Sequence, residues 1–324
     1  MIPLDSIKAP VSTHLDAFEG TFRASMKSSV PLLDIITRYI LKRKGKQVRP
    51  LFVFLSAGMC GEINESTHRA AAMIEMLHTA TLVHDDVVDD SNLRRGFFSI
   101  NALWKNKIAV LVGDYLLSRG LLLALEKDET TLLKIVSGAV KEMSEGELLQ
   151  IEKARKLDIE EEVYFEIIRK KTASLIASCC ACGGASVGLP DEQVKRLKTF
   201  GELVGTAFQI KDDLFDYERN NSTGKPDGTD IRDRKMTLPL IYLLKHSGFS
   251  EKRWIIQTVK RYHDDAARVT RLIEMVRRHG GIEYARGKML EYRDRALAIL
   301  EEFPAGDCRK SLEELVIFTT ERSS

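Results

Sequence analysis

The 324-residue chain is 44% hydrophobic and 30% charged, the balance of a globular protein with ample material for a buried core. Its 49 Lys and Arg against 47 Asp and Glu leave a net charge of +2, which lacks the strong basic excess of a nucleic-acid binder. The start, MIPLDSIKAPVSTHLDAFEG, has no basic stretch leading into an apolar one, and no 18-residue run is apolar without a charge. Neither a signal peptide nor a membrane anchor is expected, which points to the cytoplasm.

Along the chain, apolar residues recur at three and four positions nearly everywhere, the period of a helix with one buried face. RAAAMIEMLHTATLVHDD (69–86), ALWKNKIAVLVGDYLLSRGLLLALEK (102–127), LLKIVSGAVKEMSEGELLQIEKA (132–154) and RLKTFGELVGTAFQIKDDLFDY (196–217) each read as one helix. Between them, RKGKQVRP, RRGFFS, GGASVGLPDEQ, RNNSTGKPDGTD and RHGGIEYA carry the Gly, Pro and Asn of turns. None is long enough to be a linker, and no repeat or low-complexity tract appears. The expectation is a single all-α domain over 1–324, with ten or more helices. The five cysteines, Cys60, Cys179, Cys180, Cys182 and Cys308, are odd in number and unevenly spaced, as reduced thiols are. Cys179 and Cys182 form a C-x-x-C inside SLIASCCACGGASVG, which has no second pair for zinc and reads as a close-packed helix.

Two carboxylate clusters interrupt this pattern. In LVHDDVVDDSNLRRG, Asp85 and Asp89 are four apart and Asp86 and Asp89 three apart, so their side chains share a helix face. Like charges at that spacing destabilise a bare helix by about 0.2–0.5 kcal/mol per pair. Asp212, Asp213 and Asp216 repeat the spacing in FQIKDDLFDYE, again at the end of an apolar helix. One such cluster is an ordinary solvated helix end as readily as a site; two in one helical chain call for a shared partner. Magnesium or calcium suits such oxygen-rich clusters, and magnesium takes one or two carboxylates and shares the rest of its shell with water and phosphate. A diphosphate between the clusters then explains Arg94 and Arg95, whose guanidinium forks match phosphate oxygens. KRKGKQVRP adds Lys46 and Arg49, IRKKTASL adds Lys171 and Thr172, and STGKPDGTDIRDRK adds Lys225 and Lys235. Neither glycine loop is a P-loop.

Taken in order, GKQVRP, LHTATLVHDDVVDDSNLRRG, GDYLLSRG, RKKTASLI, FQIKDDLFDY and GKPDGTDIRDRKMTLPLIY resemble the trans-isoprenyl diphosphate (polyprenyl) synthases, in particular a long-chain member. The motifs run from Gly45 to about Tyr242, and the end of the chain resembles the family more loosely. The resemblance implies an isoprenoid synthase fold, with helices around a central cavity, and a homodimer. It implies that Asp85, Asp89 and Asp212 hold several magnesium ions, with Asp86, Asp213 and Asp216 close behind. Arg94, Lys171, Gln209, Lys225 and Lys235 would bind the allylic diphosphate, with Thr172 beside Lys171. Lys46, Arg49, His78 and Arg95 would bind isopentenyl diphosphate. The same resemblance implies head-to-tail condensation by ionisation, with the released diphosphate able to take the final proton.

Cavity depth should set product length. One helical turn rises about 5.4 Å, roughly one extended isoprene unit. The residues four and five before Asp85, Thr81 and Ala80, are small, and Leu77 lies deeper without obvious closure. A product of about thirty to fifty carbons is expected on that turn-per-unit scale, with a short-chain farnesyl or geranylgeranyl diphosphate synthase as the alternative. Three rivals are weaker. A class I terpene cyclase would carry N/D-D-x-x-S/T-x-x-x-E at the second motif. A non-catalytic subunit of a two-component synthase would lack an aspartate motif. A helical scaffold would leave the clusters and arginines without a common purpose.

Overall fold

The computed structural model describes residues 3–42, 45, 47–94, 96–156, 160–217 and 228–321, apart from the side chains of 94, 155 and 156. The chain begins with α1 (Leu4–Lys8), α2 (Ser12–Ser25), α3 (Pro31–Leu41) and α4 (Val48–Cys60). Two long neighbours, α5 (Glu65–Val88) and α6 (Ile100–Leu125), follow, joined through a two-residue antiparallel ladder of β1 (Leu93–Arg94) and β2 (Phe97–Phe98). Then come α7 (Thr130–Lys156), α8 (Glu161–Ile168), a wide π turn at Arg169–Ala173, α9 (Ser174–Ser186) and α10 (Asp191–Phe215). The chain closes with α11 (Thr229–Arg232), α12 (Leu238–His246), α13 (Phe249–Arg261), α14 (Ala266–Arg278), α15 (Gly281–Leu300) and α16 (Asp307–Glu321). The all-α expectation holds: strand structure among the described residues is confined to that one short ladder.

The centre of the molecule is α5, flanked by α4, α6 and α9. It starts cleanly because the Asn64 side chain accepts from the Ser66 and Thr67 N–H groups while Thr67 Oγ1 accepts from the Asn64 N–H, a reciprocal cap. Ala70 to Ile74 are all fully buried, as befits a helix covered on every side. The main core joins α5 to α4, α9, α10 and α16 through Phe52, Phe54, Leu175, Phe200 and Leu315. Burial of each large side chain contributes about 1.5–3 kcal/mol. Cys179, Cys180 and Cys182 lie in this core as free thiols, and burial pushes Cys180 up to about 12. The small-residue stretch therefore serves close helix packing.

A second core is formed by the end of α10 with α12 to α15. Tyr217 is fully buried there; its hydroxyl is 2.6 Å from Thr237 Oγ1, and its carbonyl accepts from Arg277 Nε (2.8 Å). α6 is long and apolar enough by composition to cross a bilayer. It also carries Lys105, Lys107, Asp114 and Arg119, and its inner side packs along α5 through Ala109, Val112 and Leu116.

Candidate active site

The first carboxylate cluster ends α5. Asp85 lies in the last turn, and Asp89 caps the helix with its N–H donating to the Asp85 carbonyl (2.8 Å). Asp85 faces the large cavity. Asp86, about 100° further round the helix, faces a smaller neighbouring cavity and is only 3% exposed; its carbonyl accepts from the Ser91 N–H (3.0 Å) and Asn101 Nδ2 (3.1 Å). The second cluster ends α10 in the same way, with Asp216 as the cap. Both clusters thus sit at the negative end of a helix dipole, where each carboxylate is disfavoured by about 0.3–1 kcal/mol. Local helix electrostatics and mutual repulsion together call for cations at these ends.

At the end of α10 the carboxylates are held by identifiable donors. Asp213 accepts from the Tyr164 hydroxyl (2.8 Å) and Gln209 Nε2 (2.9 Å), and Gln209 Oε1 accepts from Thr172 Oγ1 (2.8 Å). A hydrogen-bonded row therefore runs from Thr172 on the cavity wall through Gln209 and Asp213 to Tyr164. Asp216 accepts from the N–H groups of Thr229 and Asp230, both at 2.9 Å. This places Asp230 among the aspartates of α10. Burial, followed by the charge of Asp230, raises Asp213 from 3.8 to about 8 and Asp216 to about 6. Lys235 answers part of that charge, with Nζ 3.4 Å from Asp230 and 2.9 Å from Asp233. Burial opposes its charge, yet Asp230 and Asp233 together raise its pKa.

Lys171 and Thr172 sit on the π turn, a form that recurs at functional sites. Two glycines admit it. A Cβ on Gly146 of α7 would stand 2.8 Å from the Lys171 nitrogen, and one on Gly205 of α10 would stand 2.5 Å from the Ala173 Cα. Any side chain at either place would push the turn away. Lys171 Nζ lies 2.5 Å from Glu147 Oε2 and donates to Gln150 Oε1 (3.3 Å). Arg49, on the first turn of α4, pairs with Glu75 (3.4 Å).

These groups rim a cavity of about 1010 Å³, at the upper end of ligand pockets. Arg49, His78, Asp85, Lys171 and Thr172 line it with apolar Phe52, Met143, Leu148, Leu175, Ile176 and Phe208. A smaller cavity of about 150 Å³ between α2, α3 and α5 shares Arg49 and His78 and includes Asp86. Asp89, Asp212 and Lys235 are not among the lining residues of either.

The three positions expected to set chain length separate in space. Thr81 lines the large cavity. Ala80 instead packs with Met76, Val83 and Leu116, and Leu77 turns to α6, its side chain 3.2 Å from where a Cβ on Gly120 would be. The reason is helical geometry: at about 100° per residue, position 81 stays within about 40° of Asp85, whereas position 80 is turned about 140° away. Lys46, Arg95 and Lys225 lie outside the described residues, as does the side chain of Arg94, whose backbone pairs with Phe97 in the ladder. Asp230 and Tyr164 had no assigned role in the sequence. Asp230 carried a signal, the acid of GTDI directly after a glycine turn; Tyr164 carried none.

Among the described residues, no three His, Cys, Asp or Glu side chains gather into a closed metal cage. The carboxylates stand as open sets at two helix ends. That form suits an ion that completes its shell with substrate phosphate and water.

Acidic helix ends above an apolar cavity, with cations at the rim, define a helical transferase that handles a hydrocarbon bearing a diphosphate. Comparison with known proteins agrees: the model of the Polyprenyl synthetase family matches residues 30–276. An all-trans-nonaprenyl-diphosphate synthase (geranyl-diphosphate specific) of Rhodobacter capsulatus is 36% identical over 98% of this chain and 97% of its own. The crystal structure of a decaprenyl diphosphate synthase from Rhodobacter capsulatus superposes with a TM-score of 0.93 at 33% identity, covering 98% of this chain and 99% of that one. A polyprenyl synthase from Caulobacter crescentus, complexed with calcium and isoprenyl diphosphate, gives 0.91 at 33% identity over 99% and 98% of the two chains. The chain belongs to the polyprenyl synthetase family. It is a long-chain trans-polyprenyl diphosphate synthase, a prenyltransferase that condenses isopentenyl diphosphate head-to-tail with an allylic diphosphate.

Proposed function

We propose that this chain makes an all-trans product of about thirty to fifty carbons, one isoprene unit per helical turn of open cavity, with several magnesium ions held at the two acidic helix ends. The observation that carries this reading is the pair of aspartate clusters at the ends of α5 and α10, with an apolar cavity running below Asp85 past the small Thr81. Asp85, Asp89 and Asp212 would hold the magnesium, which supplies charge stabilisation for the leaving diphosphate. The calcium and isoprenyl diphosphate of the Caulobacter relative are consistent with a divalent ion beside a diphosphate.

Arg94, Lys171, Lys225 and Lys235 would grip the allylic diphosphate, with Gln209 holding its rim through Thr172 and Asp213. Lys46, Arg49, His78 and Arg95 would orient isopentenyl diphosphate; Arg49 and His78 stand between the two cavities, where both substrates can meet. As the allylic carbon–oxygen bond breaks, Lys171, on the cavity wall, would take up part of the charge developing on the diphosphate. The isopentenyl double bond attacks the cation, and the departing diphosphate accepts the proton lost. Phe52, Leu175, Ile176 and Phe208 keep water from the cation.

The homodimer is supported by α6. Leu103, Val110, Leu111, Leu122 and Leu125 are exposed on the helix whose inner side packs on α5, a patch that a second copy would cover. No nucleic acid and no stable membrane anchor enter this reading, which is of a cytoplasmic enzyme. The test is product analysis: labelled isopentenyl diphosphate and magnesium with farnesyl or geranylgeranyl diphosphate as primer. A ladder ending at thirty carbons or more is expected on the turn-per-unit scale. Products stopping at fifteen or twenty carbons would refute the open tunnel and keep the chemistry, and no magnesium-dependent elongation would refute the reading itself.

A further inference from the structure

We propose that the outer face of α13 docks the protein on an anionic lipid surface. Phe249 lies three and four residues before Lys252 and Arg253, these lie four and three before Ile256, and Ile256 lies four before Lys260, so the five form one stripe along the helix. All five are exposed, and Phe249, at 86%, is the most exposed large hydrophobic residue among those described. The opposite side of α13 is buried through Ile255, Thr258 and Val259, so the stripe faces outward by the packing of the helix. Among the described residues, none of the three cations carries an ion pair. The carboxylates nearby are used elsewhere: Glu251 accepts from the Gly248 N–H, and Asp265 caps α14.

Large apolar side chains alternating with cations on one exposed face match the interface of an anionic bilayer. The apolar groups enter the headgroup boundary, and the cations meet lipid phosphate. A nucleic acid would use the cations but give Phe249 and Ile256 no partner. The position of the face adds weight. α14, the helix next to α13, packs Val269 and Ile273 against Gly228, and its Arg277 holds the Tyr217 carbonyl just beyond Asp216. Docking through α13 therefore turns toward lipid the side of the molecule that carries the second aspartate cluster.

The test is co-sedimentation of the full chain with vesicles of phosphatidylglycerol and phosphatidylcholine in equal parts, and with phosphatidylcholine alone, without substrate. Binding to the anionic vesicles is expected, weakening with salt. Each cation near the surface is worth about fivefold in affinity, so K252Q/R253Q/K260Q should lose on the order of a hundredfold. Phe249→Ser should lose about tenfold by removing apolar burial. All these positions are exposed, so melting temperature and turnover of a soluble short primer should stay unchanged. Failure to bind anionic vesicles, or binding that the triple variant leaves intact, would overturn the proposal. Binding to polyglutamate without binding to vesicles would assign the face to an acidic protein and also overturn it. Since no substrate is present, neither outcome touches the assignment of the chemistry.

Discussion

Replacing Thr81 with Phe should convert this long-chain enzyme into a short-chain one. Thr81 lines the large cavity four residues before Asp85. At 1.5 Å per residue, that is about 6 Å below the metal-binding end, close to one isoprene unit. An aromatic ring at this depth meets Met143, Leu175 and Phe208 among the lining residues and stops the chain about one unit beyond the allylic diphosphate. Product should fall to roughly two isoprene units on that scale. The first condensation should be little affected, because the rim residues are untouched. The assay compares the dephosphorylated products of wild type and Thr81→Phe from the same primer, with circular dichroism melting as a fold control. Ala80→Phe is the companion. A ring at position 80 enters the cluster of Met76, Val83 and Leu116, where overpacking costs about 1–3 kcal/mol, so its melting temperature should fall first. An unchanged product length for a folded, active Thr81→Phe variant would refute the assignment of this wall.

Other outcomes follow from the same geometry. Asp213 has a folded pKa of about 8 against 3.8, so the metal-free protein carries an extra proton near neutrality; magnesium with inorganic diphosphate should release it, which calorimetry in buffers of different ionisation heat will detect. Because that folded pKa is raised, its contribution to metal-free stability is full below about 4 and lost as pH rises towards 8, and melting temperature should fall across this window unless magnesium diphosphate is present. Lys171→Met should lower kcat on the order of a hundred- to a thousandfold, the usual loss of one preorganised charge-stabilising group, in a steady-state elongation assay. Gly205→Ala should displace the π turn against Ala173 and lower the melting temperature, at a cost of about 1–3 kcal/mol. Arg277→Met should leave the buried Tyr217 carbonyl short of a donor, costing about 1–3 kcal/mol in chemical denaturation.

The sequence alone determined what depends on neighbours along the chain. Helical periodicity marked α5, α6, α7 and α10, and the three- and four-residue steps of Asp85, Asp86 and Asp89, and of Asp212, Asp213 and Asp216, marked the two acidic ends, because a helix places such positions on one side whatever surrounds it. With the ordered motifs, this sufficed for the all-α fold, the diphosphate chemistry and Arg49, His78, Lys171 and Thr172 at the cavity. Tertiary structure decided which neighbour covers each side. Helical geometry separates Ala80 from Thr81, but only packing shows that α6 covers Ala80 and Leu77 while the cavity lies over Thr81. Only the return of the chain after α10 brings the Asp230 N–H onto the Asp216 carboxylate and its charge into the field of Asp213. Tyr164 reaches Asp213 across 49 positions of sequence, and Gly146 and Gly205 matter because two other helices press on one π turn. Spacing along a helix is a local property, and the identity of the atoms it meets is set by contacts between distant segments.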